Sequence, residues 1–276
     1  MQKIDAHQHF WRFDPVRDNW IADEMSAIRR NFMPADLRPV LKHNGIDGCV
    51  AVQADQSETE NSFLLGLTEG NDFIKGVVGW IDLRAANIEE RLQHYSQSPL
   101  MKGFRHVLQG EANRALMLEP DFMRGIGLLS RYGFTYDLLI FPDQLKYAEK
   151  LVRGFPEQKF VLDHIAKPHI KDGKIDNWAA EIALLARHQN VYCKLSGMVT
   201  EADWHSWTPG TFKKYLDVVF EAFGPQRLMF GSDWPVCLVA AGYEQVKTIV
   251  NDYIAGLGPS GQDMIFGGNA VTFYNL

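Results

Sequence analysis

His7 and His9 stand two residues apart in the opening segment KIDAHQHF. In an extended strand, residues i and i+2 face the same side. Both imidazoles therefore point one way and can meet one divalent ion or one substrate carbonyl. Far along the chain, LDHIAKP carries a third imidazole, His164, and GSDWP carries a carboxylate, Asp233. Three nitrogens and one oxygen make a divalent-metal ligand set; without a metal, the same histidines can donate hydrogen bonds. A carboxylate held beside a water can take its proton as the water attacks a carbonyl, so Asp233 has a role in either case. That chemistry also needs positive charge where the oxyanion develops, and Arg105 in GFRHVLQ and Lys194 in KLSG are candidates. Each could instead hold an anionic or polyhydroxylated substrate, or form a structural ion pair with a strand-end aspartate such as Asp82 or Asp137. Lys167, just before Pro168, is either a pocket cation or a solvated loop charge.

Such residues need elements to bring them together. Eight β-rich apolar runs recur, at 3–10, 46–55, 74–83, 102–109, 134–140, 159–166, 191–197 and 227–235. Between them, 58–71, 87–97, 119–132, 142–155, 176–188 and 211–223 carry apolar residues at three- and four-residue spacing, with Gly or Pro near their ends. Strand alternating with helix implies parallel strands and crossover helices. Eight runs predict an α/β fold, a single-domain (β/α)8 TIM barrel over 1–276. Long loops at 11–35 and 200–210 follow runs one and seven, at the barrel end where active sites sit. Trp11, Trp20 and Trp204 make them ordered lids or packing on the rim. Every run ends in reactive types: His7 and His9; Gln53 and Asp55; Trp80 and Asp82; Arg105 and His106; Asp137; Asp163 and His164; Lys194; Asp233. Ionisable groups on buried strands are costly unless paired or functional, so these ends predict one catalytic mouth.

Composition excludes other classes. With 46% hydrophobic and 12% aromatic residues, the chain can fill a core and is not disordered. Three cysteines, an odd number, argue against a disulfide scaffold and fit a reducing compartment. Cys49 reads as a small core residue, and Cys193 and Cys237 have no partner pattern. His43, His94 and His188 fall on helical stretches and read as surface. A net charge of −6 argues against nucleic-acid binding. No apolar stretch suits a membrane span, and the amino terminus lacks a signal-peptide core; a cytoplasmic location is expected. A GxSxG elbow, a Walker loop and a GxGxxG fingerprint are all missing, which disfavours serine-hydrolase and nucleotide chemistry. A monomer and an oligomer are both compatible with the sequence.

The segments IDAHQHFW, GFRHVLQ, YDLLI, LDHIAKP, KLSGM, GSDWPV and the terminal GGNAVTFYNL, in this order and spacing, resemble the amidohydrolase superfamily. The resemblance is to its amidohydrolase-2 branch of sugar-lactone hydrolases, the L-fuconolactonase and L-rhamnonolactonase group. It implies a (β/α)8 barrel that hydrolyses a small-molecule aldonolactone to the aldonic acid in deoxyhexose or related sugar catabolism. It implies Asp233 as general base, with His7, His9 and His164 as its companions and, if a metal binds, as its co-ligands. Arg105 would bind substrate, Lys194 would orient hydroxyls, and Trp11, Trp80 and Trp234 would offer faces to a sugar ring. Gln53, Asp137 and Lys167 complete the expected substrate contacts. Many superfamily members bridge two metals with a carboxylated lysine or a glutamate. Here Lys194 stands where a further ligand histidine is expected, so one Zn²⁺ or Mn²⁺ ion or none is implied, not a binuclear centre. A metal-dependent non-oxidative decarboxylase of the same superfamily is the alternative reaction. A sugar-binding barrel without turnover is the alternative outside enzymes.

Overall fold

The computed structural model describes residues 1–276 apart from the side chain of Asp176. Its strands are β1 (Ile4–Gln8), β2 (Gly48–Val52), β3 (Ile74–Gly79), β4 (Met101–His106), β5 (Thr135–Leu138), β6 (Phe160–Leu162), β7 (Val191–Leu195) and β8 (Leu228–Phe230). They pair in parallel in sequence order, a single-domain (β/α)8 barrel. The helices are α1 (Pro34–His43), α2 (Glu58–Thr68), α3 (Ile88–Tyr95), α4 (Pro120–Leu129), α5 (Leu145–Gly154), α6 (Asp176–Leu185), α7 (Pro209–Phe223), α8 (Tyr243–Tyr253), α9 (Pro259–Asp263) and α10 (Asn269–Tyr274). Among the described residues, no helix is long and apolar enough to cross a membrane.

Periodicity explains how these elements pack. Helix α5 buries Leu145, Ala148, Leu151 and Val152; each Leu or Val so buried contributes about 1.5–3 kcal/mol. The main core lies between strands and helices. A smaller one fills the barrel, where Ile4, Ala6, Val50, Val52, Val78, Val161 and Met229 meet Ala270, Phe273 and Tyr274 of α10. Helix α10 thus plugs the barrel end opposite the mouth.

All eight expected runs contain strands, but the strands stop short of the expected carboxyl ends. After β6, residues Asp163–Ala166 form a turn, and after β8 the chain leaves the ladder before Asp233. Sequence pattern cannot mark where a ladder ends and a site begins. Helix α1, with Pro39 inside it, lies outside the expected helical stretches. Helices α8, α9 and α10 also lie outside the expected helical stretches.

Candidate active site

The mouth is assembled at the seam between β1 and β8. There the continuous ladder gives way to two backbone bonds: the Asp233 N–H donates to His7 O at 2.8 Å, and the His9 N–H donates to Trp234 O at 2.7 Å. A Cβ at Gly231 would meet His7 Cβ at 2.7 Å, so glycine permits this close approach. Asp5 reinforces the seam, accepting from His7 N at 3.1 Å, Ser232 N at 2.9 Å and Tyr243 Oη at 2.9 Å. Burial raises its pKa to about 6. The register slips between Asp5 and Gln8. Such a bulge re-aims side chains: Ala6 packs inside the barrel, and His7 faces inward as well.

Four side chains converge here. His7 Nε2 lies 3.2 Å from His9 Nε2 and 3.9 Å from Asp233 Oδ1. His9 Nε2 and His164 Nε2 lie 3.3 and 4.0 Å from that same oxygen. Donors of His7, His164 and Asp233 all fall within 4.8 Å of one another. A tetrahedral zinc ion with bonds near 2.1 Å spaces its donors by about 3.4 Å, so the set fits one divalent ion. Second partners orient the rings as metal sites require: His9 Nδ1 lies 2.8 Å from Val52 O, and His164 Nδ1 lies 2.9 Å from Ser196 Oγ. Burial holds His7 and His164 well below the usual histidine pKa. Burial pushes Asp233 up, but His164, His9 and Lys167 outweigh it and keep the carboxyl below its ordinary range. The neutral rings thus face a carboxylate.

Beneath them lies a buried charge cluster. Lys194 Nζ contacts Asp137 Oδ2 at 2.5 Å, Asp163 Oδ1 at 3.0 Å and His7 Nδ1 at 3.2 Å. Arg105 Nη1 donates to Asp163 Oδ2 at 3.0 Å and lies 3.3 Å from His7 Nε2. Arg105 Nη2 also donates to Gln53 O at 2.5 Å. Two cations thus balance two carboxylates. Tyr274 Oη from α10 donates to Asp137 at 2.9 Å. Burial pushes Asp163 up, yet Lys194, His7 and Arg105 hold it well below the usual range.

The backbone that presents His164 is unusual. His164, Ile165, Ala166 and Lys167 have φ of 54°, 49°, 59° and 49°, a left-handed turn without glycine. Each such residue costs about 1–2 kcal/mol. The turn packs against Gly197, at φ 62°, where a Cβ would meet His164 Nδ1 at 2.5 Å.

A cavity of about 430 Å³ opens above the cluster, a size suited to a small molecule. His9, Arg105, His164 and Asp233 line its floor, and Arg17, Trp20, Met25, Gln109, Lys167, Glu201 and Trp204 stand around it. Lys167 Nζ pairs with Glu201 at 3.4 Å. His7, Gln53, Asp137 and Lys194 are fully buried beneath, outside the lining. Gln53, Asp137 and Lys194, expected as direct substrate contacts, thus lie beneath the cavity and not on its lining. Trp11 turns into the core under the 11–35 loop, donating to Arg30 O at 2.9 Å, and Trp80 donates to His106 at 3.3 Å. Neither lines the cavity, and neither does Trp234. His106 pairs with Glu111 and Asp82 with Arg84, and neither His106 nor Asp82 lines the cavity. Sequence reasoning named the two loops but not Arg17, Gln109 or Glu201, whose approach depends on loop paths that no periodicity encodes.

A family model described as Amidohydrolase matches residues 4–276. The chain is 39% identical to an L-fucono-1,5-lactonase of Burkholderia multivorans, over 99% of this chain and 96% of the relative. It is 33% identical to an L-fucono-1,5-lactonase of Burkholderia ambifaria, with the same coverage of 99% and 96%. A crystal structure of a Burkholderia multivorans amidohydrolase with bound zinc superimposes with a TM-score of 0.97 at 38% identity, covering 100% of both chains.

Proposed function

The chain belongs to the amidohydrolase family and is a lactonase acting on sugar lactones, and we propose that its substrate is a neutral lactone of the L-fucono-1,5-lactone kind, opened to the aldonic acid. The charge balance of the cavity carries this reading. Arg17, Arg105 and Lys167 line it against Asp55, Glu201 and Asp233. Each cation already has a carboxylate partner: Arg17 with Asp18 at 2.8 Å, Arg105 with Asp163 at 3.0 Å, and Lys167 with Glu201 at 3.4 Å. A neutral polyol finds donors and acceptors there without displacing an ion pair. Trp20, Met25, Leu139 and Val236 suit its apolar ring face and a deoxy methyl group.

Asp233 takes a proton from a water as the water oxygen bonds to the lactone carbonyl carbon. The oxyanion develops toward Arg105, whose Nε is buried and has no partner. The bond from that carbon to the ring oxygen then breaks, and Asp233 returns the proton to the departing alkoxide. His7, His9, His164 and Asp233 would hold one Zn²⁺ or Mn²⁺ ion, which would polarise the carbonyl and acidify the water. The Lys194 ammonium beside His7 disfavours a second cation. A pH-indicator screen of sugar-acid lactones, with and without chelator, tests the reading. Acid release without CO₂ from the L-fuconolactone series is expected, with far slower turnover of lactones bearing extra carboxylates. Failure to hydrolyse any neutral sugar lactone would overturn it, and CO₂ release from an aromatic acid would favour the decarboxylase.

A further inference from the structure

We propose that Trp178, on α6 and outside the active-site cavity, is a positioning residue for the reaction: its indole N–H holds the left-handed turn that presents His164 and Lys167. The proposal rests on the lactonase reading for its catalytic consequence, but its geometry stands separately. Trp178 Nε1 donates to Ile165 O at 2.8 Å. The indole is 5% exposed and packs against the Tyr215 ring, with centroids 5.5 Å apart at 64°.

Four successive non-glycine residues at positive φ do not keep that hand unaided. Inside the turn, the Lys167 N–H donates to His164 O at 2.8 Å. On the cavity side, Ser196 Oγ lies 2.9 Å from His164 Nδ1, and Glu201 lies 3.4 Å from Lys167 Nζ. Those contacts grip side chains. The Trp178 bond grips a main-chain carbonyl from behind, and the direction of a carbonyl is set by the backbone dihedrals themselves. Returning Ile165 to the right-handed region would turn its carbonyl away from the indole. The flanking residues would rotate with it, carrying His164 Nε2 away from Asp233. Ile165 and Ala166 are fully buried, so a carbonyl that loses the indole donor is costly to leave unpaired.

Two replacements at position 178 separate this role from packing. Trp178→Phe removes the N–H and part of the ring. Benzothienylalanine at 178 keeps the shape and exchanges only N–H for sulfur. Both are compared with wild type by lactone kinetics, thermal melting and amide hydrogen exchange. In the isostere, kcat is expected to fall about 10-fold or more while KM changes less than about 3-fold, since a misplaced catalytic group costs turnover. Exchange in the segment around 163–170 should accelerate while the strands stay protected. Unchanged kcat, or unchanged exchange in that segment, overturns the proposal. Exchange rising across the whole barrel also overturns it, since Trp178 would then serve general stability. If wild type leaves sugar lactones untouched, the reading of function fails, and the exchange comparison still decides whether Trp178 holds the turn.

Discussion

At the scale of single residues, two kinds of buried charge serve different ends. Asp233 lies within 4.0 Å of the His7, His9 and His164 rings and is held below its ordinary range, as the base role proposed for it requires. With its carboxyl below the ordinary range and His7 and His164 well below theirs, none of these three titrates near neutrality. We expect kcat/KM for the lactone to fall in acid as Asp233 protonates, and a pH profile with no acid limb would refute this. Asp233→Asn should lower kcat by about 100-fold or more; near-normal hydrolysis would remove Asp233 from the base role. Lys194 is fully buried beneath the cavity. It sits between Asp137 and Asp163, and stripping one partner from such a cluster costs about 3–5 kcal/mol because a charge is left unpaired. Lys194→Met should lose about that much in urea melts, and adding Asp137→Asn should recover part of it. A double variant no more stable than the single one would refute the pairing. From sequence, Lys194 could be read as substrate ligand or ion-pair partner; a strand side chain one layer lower changes role without changing its pattern.

At the scale of elements, the strand–helix alternation and the paired histidines were legible because periodicity and i, i+2 spacing encode them. What escaped was the irregular backbone. The bulge in β1 turns His7 inward, and the turn after β6 turns His164 across the mouth. Neither has a period. The tryptophans show the same limit: Trp11 was expected at the sugar and instead anchors its loop, while Trp20, on that loop, reaches the cavity. The left-handed turn depends on a glycine opposite it. Gly197→Ala places a Cβ 2.5 Å from His164 Nδ1 on a residue at φ 62°. A positive-φ penalty of about 1–3 kcal/mol is expected in denaturant melts, together with a kcat loss of about 10-fold or more as His164 is pushed aside. Gly231→Ala, at the end of the neighbouring strand, would press on His7 at 2.7 Å from its Cβ. A Gly197→Ala enzyme with wild-type kcat would show that the turn tolerates displacement.

At the scale of the whole molecule, a barrel that buries this many carboxyls ties its stability to pH. The groups divide by the direction of their shifts. Asp163 and Asp233 lie below the ordinary aspartate value, so the stability they contribute is present above that value and is lost as pH falls. Asp5, raised to about 6, and Glu60, raised to about 7, behave oppositely, burial being the main cause in both. Folding favours their protonated forms, so their contribution is complete below the ordinary carboxyl range and is lost as pH rises through 6 and then 7. Glu60 isolates this effect, because it lies on α2 outside the cavity lining and its Oε1 accepts from Ala54 N at 3.1 Å. Glu60→Gln keeps an acceptor oxygen and removes the titration. Wild type should melt at a higher temperature near pH 5 than near pH 8, with stability falling by up to about 1.4 kcal/mol per pH unit for each such group. Glu60→Gln should flatten the upper part of that slope and leave the acid side, governed by Asp163 and Asp233, unchanged. Melting temperatures at pH 5, 6.5 and 8 for both proteins decide the matter. An equally steep decline in the variant would mean that Glu60 is ionised throughout and that Ala54 N and Arg17 stabilise its charge more than burial opposes it.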